Sequence, residues 1–266
     1  MHRGDGVPLE VHLPRAPLIR VICQVRFPLI ASIEDPKFIG EFQEVLRPEY
    51  PILREERALS LTLNASGMPV TSAPAILWRF KDGSGNWRVT LSTDFLAIET
   101  TAYESRDGFL ARAGFLLAVL REKLGVGLLD RIGIRYIDRV VDPELKDIHH
   151  LVNKEFLGVL ATPLASKVER SISECLIRAE PSGPVIQARW GLMPPKATFD
   201  PSAIEPIPDS SWVLDIDMYR TGPVVFDHQG IVAELRGYCE EIYGYFRWVV
   251  TEQFLATFGG EVLRQP

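Results

Sequence analysis

The stretch RVICQVRF at residues 20–27 decides how the rest of the chain is interpreted. Apolar and polar residues alternate along it, with Val21, Cys23 and Val25 on one side and Arg26 on the other. Because successive side chains of a strand point to opposite faces, this alternation predicts a β-strand with one buried face.

A second stretch, RIGIRYIDRVV at residues 131–141, alternates in the same way and predicts an equivalent strand. Its arginines Arg131, Arg135 and Arg139 share one face. We interpret the two stretches as the opening strands of two copies of one folding unit.

The same order of elements follows each opening strand: a helix, three strands and a longer helix. In the first half, Asp35 and Pro36 predict the start of the first helix. The later elements of that half are predicted at 58–64, 75–81 and 87–101 (strands) and at 106–124 (helix). In the second half they are predicted at 147–160 (helix), 167–179, 185–193 and 211–219 (strands) and 229–258 (helix).

Local sequence similarities support an internal repeat. Residues 24–27 resemble 133–136, residues 38–40 resemble 156–158, and residues 87–91 resemble 212–216. The offsets differ, so insertions separate the copies, and a chance similarity of common patterns is the alternative. The predicted fold is α+β, with two pseudo-repeated strand–helix–three-strand–helix units, 1–128 and 129–266, whose antiparallel sheets pack against helices. One fused globular domain is the alternative.

The charge balance argues against nucleic acid as a partner. The 266 residues include 29 Lys and Arg against 35 Asp and Glu, whereas binding to phosphates requires basic residues in excess. Cys23, Cys175 and Cys239 lie far apart in apolar segments, which predicts buried free thiols and a reducing compartment. With no apolar leader and no long apolar run, we expect a cytoplasmic protein that does not enter the membrane.

The stretch PLIRVICQVRFP at 17–28, the strand RIGIRYI at 131–137 and LDID at 214–217 together resemble a sporadically distributed family of uncharacterised bacterial proteins. The similarity covers nearly the whole chain, and the strand at 131–137 is its most specific element. Members of that family commonly have asparagine where this chain has Asp138. That family carries no agreed activity, so the resemblance supplies no mechanism.

The order of elements is also similar to that of the SecB-type export chaperone subunit, with one strand, a crossover, three meandering strands and a long helix. Two tandem copies would then resemble a dimer of such subunits. This likeness concerns topology alone, and topology does not imply function.

Four arginines are candidate binding residues: Arg26 on the polar side of the first strand, and Arg131, Arg135 and Arg139 on one face of the second. Residues four apart in a strand are about 13 Å apart, too far for these side chains to clamp one small anion together. One interpretation is a groove that contacts an anion or a peptide backbone. The favoured interpretation is a polar face that carboxylates on a neighbouring strand neutralise, because Asp215 and Asp217 offer such carboxylates.

Asp215 and Asp217 share a strand face and complete the candidate set. Two carboxylates at this spacing could hold a hard divalent cation. Salt bridges with Arg135 or Arg139 are the favoured interpretation, because no third ligand is near in sequence. No histidine or cysteine pattern predicts a metal site, a cofactor or a catalytic residue.

The segment 194–210, between the last two predicted strands, is long and rich in proline. A loop of this length is uncommon in a compact domain and is expected to be either mobile or functional.

The sequence therefore favours a peptide- or protein-binding module, chaperone-like or accessory, over an enzyme. Its groove would be formed by the sheet faces and the proline-rich loop, and strand addition is one way to accept an extended peptide. The alternative is a small-ligand receptor or an enzyme whose pocket, lined by the same arginines and aspartates, lies between the two halves.

Overall fold

The structure is a computed structural model that describes residues 10–58, 61–63, 69–71, 75–178, 180–181 and 183–260. In this part of the chain the strands are β1 (Leu18–Arg26), β2 (Ile52–Ala58), β3 (Leu61–Leu63), β4 (Pro69–Thr71), β5 (Ala75–Lys81), β6 (Trp87–Ser92), β7 (Phe95–Thr100), β8 (Leu128–Val140), β9 (Ser171–Arg178), β10 (Val185–Met193) and β11 (Ser211–Val225). The α-helices are α1 (Pro36–Leu46), α2 (Arg106–Leu124), α3 (Ile148–Leu151), α4 (Lys154–Leu157), α5 (His228–Val249) and α6 (Glu252–Thr257).

Nine of the described strands form one large antiparallel sheet in the order β2-β5-β6-β7-β1-β8-β11-β10-β9. Strands β3 and β4 pair in a small separate sheet. Together with the helices, this arrangement confirms the predicted α+β class. Strands β2 and β9 are the two edges of the large sheet as far as the structure describes it.

The internal repeat is not confirmed. Trp87 lies on β6, which is separated from the first opening strand, β1, by β7. Trp212 lies on β11, which is directly beside the second opening strand, β8. The similar sequences around these two tryptophans therefore do not occupy corresponding positions.

The chain divides into two compact units. Unit 1 contains the chain up to Val21, Ile134–Arg220 and the chain from Arg236 onward, and unit 2 contains Ile22–Gly133 and Thr221–Leu235. The boundary at residue 128 stays a prediction.

Local signals define the helix ends in unit 2. Asp35 accepts a hydrogen bond from the amide of Lys37 and caps α1, with Pro36 in the first turn. Ser105 caps α2 in the same way, and Gly125 ends that helix in the left-handed conformation at a φ of 65°.

Two strand predictions in unit 2 need correction. The predicted strand at 87–101 is two strands, β6 and β7, because the chain turns at Thr93 and Asp94. The predicted strand at 58–64 overlaps β3, and the edge of the large sheet is instead β2, whose sequence ILREERA does not alternate. Residues 59–60 and 64 lie outside the described residues.

The helices of the second half are more broken than the sequence predicts. The predicted helix at 147–160 consists of α3, α4 and short 3₁₀ turns, and the predicted helix at 229–258 consists of α5 and α6. The second break falls at Thr251, whose hydroxyl accepts a hydrogen bond from the amide of Phe254 and caps α6.

Cys23 and Cys239 are buried thiols, as predicted, whereas Cys175 on β9 is partly exposed. None of the described helices combines the length and the apolar composition that crossing a bilayer requires. The cytoplasmic location stays a prediction.

Candidate functional site

Arg135 and Asp215, two of the predicted site residues, form the centre of a buried ion-pair cluster in unit 1. The Nε and Nη2 atoms of Arg135 donate to the two carboxylate oxygens of Asp215 at 2.6 and 2.9 Å, a bidentate geometry. Arg189 donates from Nε to Asp215 Oδ2 at 3.0 Å. The Asp215 side chain is 1% exposed, so the two arginines replace the water that the carboxylate has lost.

Strand register explains why these groups meet. Glu174 on β9 lies opposite Arg189 on β10, which in turn lies opposite Asp215 on β11. Arg135 belongs to β8, the next strand in the sheet order. The sign of the charge therefore alternates across four neighbouring strands, an arrangement that favours cross-strand attraction. Glu174, Arg189, Asp215 and Arg135 are named the charge ladder.

The proline-rich loop 194–210 lies on the charge ladder. Asp200 accepts a hydrogen bond from Arg135 Nη1 at 2.8 Å. The guanidinium of Arg189 lies 4.7 Å from the centre of the Phe199 ring, a cation–π contact. Loop side chains thus cover both arginines of the ladder.

These contacts shift the pKa values of the charged groups. Burial acts to raise the pKa of Asp200, but hydrogen bonds from Ser202 and Arg135 outweigh burial and lower it. Burial acts to lower the pKa of Arg135, but its bonds with Asp215 and Asp200 outweigh burial and raise it. Both groups are held in their charged forms.

The loop is also held by its own backbone. The amide of Lys196 donates to the carbonyl of Ile207, and the amide of Ile204 donates to the carbonyl of Asp200. The side chain of Ile204 is fully buried. The loop is therefore a packed element, and the space beside Arg135 and Arg189 is occupied by the loop itself.

Arg139, another predicted site residue, is buried, but its surroundings differ from those of Arg135. Its Nη2 donates to the carbonyl of Glu205 at 2.7 Å, and Nη2 of Arg20 lies 3.5 Å from the Glu205 carboxylate. Desolvation lowers the pKa of Arg139, and the positive charge of Arg20 adds to this effect while Glu205 opposes it. Of the two arginines predicted as alternative salt-bridge partners, Arg135 pairs with Asp215, whereas Arg139 contacts the Glu205 carbonyl.

Asp217 lies opposite Gln187 on β10, on the same strand face as Asp215. Because two arginines hold Asp215, the geometry supports its role in salt bridges over a role in binding a cation. No group of three or more His, Cys, Asp or Glu side chains that could hold a metal ion occurs among the described residues.

Arg26 and Arg131, the remaining predicted arginines, line a surface cleft of unit 2. The cleft has a volume of about 700 Å³, and Asp94, Asp130 and Leu29 contribute to its walls. Arg26 Nη2 lies 2.8 Å from Asp94 Oδ2, and both side chains are about half exposed. An exposed pair of this kind contributes little to stability. Of the six candidate residues, two line this cleft and two belong to the charge ladder, while Arg139 and Asp217 lie in unit 1 outside the ladder.

Asp138 is a buried carboxyl that the sequence did not single out as a site. It shares a face of β8 with Tyr136, whose hydroxyl lies 3.4 Å from Sγ of Cys239 on α5. Loss of water raises the pKa of Asp138 to about 7. The available signal was a carboxylate on the otherwise apolar face of a predicted strand.

The edge strand β9 exposes large apolar side chains. Leu176 is 65% exposed and Ile177 is 38% exposed. An edge strand presents backbone N–H and C=O groups that can pair with another chain, and exposed apolar residues do not discourage such pairing.

An aromatic cluster lies beside this edge. Phe156 of α4 packs edge to face against Trp190 of β10 and Trp248 of α5, with ring centres 5.2 and 4.9 Å apart. The hydroxyl of Tyr245 lies 3.5 Å from Sγ of Cys175 on β9, which joins the cluster to the edge strand. Trp248 is 58% exposed.

Comparison of the chain with protein-family models, with curated proteins and with solved structures finds no match. The resemblance to the bacterial family and the topological likeness to the chaperone subunit both stay predictions.

Proposed function

We propose that the chain is a peptide- or protein-binding module, without enzymatic activity, that accepts an extended partner segment by strand addition at β9. The observation that carries the proposal is the edge patch, defined as Leu176, Ile177 and Trp248, all exposed in unit 1. Strand addition supplies affinity through main-chain hydrogen bonds and specificity through alternate side chains.

The contacts among the charged residues of unit 1 support a structural role for these residues over a role in catalysis or ligand binding. Arg135 and Asp215 use their hydrogen-bonding groups on each other, and Asp200 takes a further N–H of Arg135. A catalytic or ligand-binding pocket needs polar groups that converge on an open cavity. The polar groups of the ladder converge on one another.

The outer residues of β9 define the chemistry of the partner strand. Glu174, Leu176 and Arg178 lie at every second position of β9 and therefore share one face. An antiparallel partner would place a basic residue opposite Glu174, an apolar residue opposite Leu176 and an acidic residue opposite Arg178. From its N-terminus, such a partner has the pattern acidic–x–apolar–x–basic.

A fluorescein-labelled peptide with this pattern, and with valine or threonine at the intervening positions, tests the proposal by fluorescence anisotropy. We expect the full chain to bind the peptide. Leu176→Lys should weaken binding by about tenfold or more, because lysine on an edge opposes strand pairing. The matched control is Leu164→Lys, which changes an exposed leucine elsewhere in unit 1 and should leave the affinity unchanged.

A peptide with its two charges exchanged should bind more weakly than the patterned peptide, since like charges would then lie opposite each other. Equal binding by Leu176→Lys and the unaltered chain would show that the site is not β9. Absence of binding to the patterned peptide by a chain that is monomeric, with β9 open, would contradict the proposed function.

A further inference from the structure

We infer that the partner strand at β9 is the β9 strand of a second copy of this chain, so that two molecules join their sheets edge to edge about a two-fold axis. The inference rests on the proposed function, because it names the occupant of the same edge.

Strand β9 itself carries the pattern that its partner requires. From Glu174 to Arg178 the sequence is ECLIR, which is acidic–x–apolar–x–basic. In an antiparallel pair of β9 strands centred on Leu176, each Glu174 lies opposite Arg178 of the second copy. The two Leu176 side chains then lie opposite each other, and Cys175 lies opposite Ile177. Opposite charges and apolar pairs at facing positions stabilise antiparallel strands.

The pattern also selects this register. Moving the axis by one residue to Cys175 places Glu174 opposite Leu176, and moving it to Ile177 places Arg178 opposite Leu176. Either shift buries an apolar side chain against a charge and separates the complementary charges. A register is strongly specified where facing residues match in one alignment and conflict in its neighbours.

The edge patch supplies the apolar surface that such an interface needs. Leu176 and Ile177 lie on the edge strand, and Trp248 belongs to the aromatic cluster that contacts β9 through Tyr245 and Cys175. A two-fold interface uses the same patch from both copies, and buried aromatic residues commonly dominate the binding energy of interfaces. Because the pairing uses one edge of each molecule, it closes at a dimer and does not propagate into a filament.

Sedimentation velocity of the full chain tests the inference. We expect a dimer for the unaltered chain and a monomer for Leu176→Lys. The dissociation constant of the dimer should be at least about tenfold higher for the variant. Leu164→Lys should remain a dimer, because its exposed leucine lies outside the edge patch. Circular dichroism of each variant checks that it is folded.

A charge exchange between two copies tests the register. Glu174→Arg alone places two arginines at each facing position, and Arg178→Glu alone places two glutamates there, so each variant should dimerise about tenfold more weakly. A mixture of the two variants restores opposite charges at both positions. Native mass spectrometry should therefore show a heterodimer at concentrations where neither variant forms a homodimer.

The outcomes separate this inference from the proposed function. A monomeric unaltered chain, or a dimer that persists in Leu176→Lys, overturns pairing with a second copy. If that chain still binds the patterned peptide and Leu176→Lys does not, the proposed function stands without the dimer. If the unaltered chain neither self-associates nor binds the peptide, both fail. Folded variants that do not form the heterodimer overturn the register.

Discussion

The two edge strands of the large sheet are protected to different degrees. Strand β2 has the sequence ILREERA, in which Glu55 and Arg57 pair with each other at 3.3 Å and Glu56 pairs with Arg79 of β5. Strand β9 has the sequence SISECLIR and exposes Leu176. Charged side chains on an edge discourage pairing with another chain. The difference teaches that edge position alone does not make a binding site, and it supports β9 as the edge that accepts a partner.

The largest expected effect comes from breaking the charge ladder that supports β9. Asp215→Ala removes the buried carboxylate that Arg135 and Arg189 share and leaves Arg135 with Asp200 alone, which should cost about 3–5 kcal/mol of the free energy of unfolding. Hydrogen exchange should accelerate more in β9 and β10 than in β2. The control Asp94→Ala removes an exposed pair with Arg26 and should cost about 1 kcal/mol or less. Equal costs in denaturant titrations would contradict the structural role of the ladder.

Asp138 on β8, away from both edges of the sheet, should affect the stability of the protein without affecting binding at β9. The folded-state pKa of Asp138 is about 7, above the value of about 3.9 for an unfolded chain, so the folded state binds the proton more tightly. The stability from the protonated carboxyl is fully present below about pH 4 and is lost as the pH rises through 7. One pKa unit is worth about 1.4 kcal/mol, so the loss is on the order of a few kcal/mol.

Asp138→Asn removes this titration and should stabilise the protein above pH 7, where Asp138 is ionised. Chemical denaturation at a series of pH values from about 4 to 8 measures the effect as a difference between the variant and the unaltered chain. Peptide binding at β9 should not change. A variant and an unaltered chain that lose stability in parallel as the pH rises would show that Asp138 does not titrate in this range.

The attachment of β9 to β10 depends on Gly191. Its φ is 141°, and an added Cβ would lie 1.8 Å from the carbonyl oxygen of Ser171 on β9. Gly191→Ala should therefore cost about 1–3 kcal/mol and weaken peptide binding, because the edge strand must move. The control Gly40→Ala lies in α1 with open space around it and should stabilise the protein by about 0.5–1 kcal/mol. A Gly191→Ala protein of unchanged stability would contradict the close approach of the strands.

The smallest effect on stability, about 0.5 kcal/mol or less, is expected from removing the protection of β2. Glu55→Leu combined with Arg57→Leu gives this edge exposed apolar residues similar to those of β9. Sedimentation velocity should then show species larger than the unaltered chain forms, since both edges can pair. The control Glu44→Leu with Arg47→Leu makes the same change at an exposed pair near the end of α1 and should not promote association. Equal association in both double variants would point to general surface hydrophobicity.

Local sequence determined much of the secondary structure and one part of the candidate site. Strands β5 and β10 and helix α2 have the predicted bounds, because alternation, caps and glycine stops act between residues close in the chain. The salt bridge between Arg135 and Asp215 was the favoured interpretation of two alternating strands. Arg189 was not among the predicted site residues, although the available signal was a charged residue within the predicted strand at 185–193.

Only the tertiary structure decided which strands are edges, which carboxylates are buried and where the loop lies. The sheet order brings together strands that are distant in the chain, so β9 and β2 could not be recognised as edges from their own sequences. Asp200 reaches Arg135, 65 residues away, because the loop folds back over the sheet. Exposure, desolvation and partner choice depend on which distant segments pack together, and a residue's near neighbours in sequence do not contain that information.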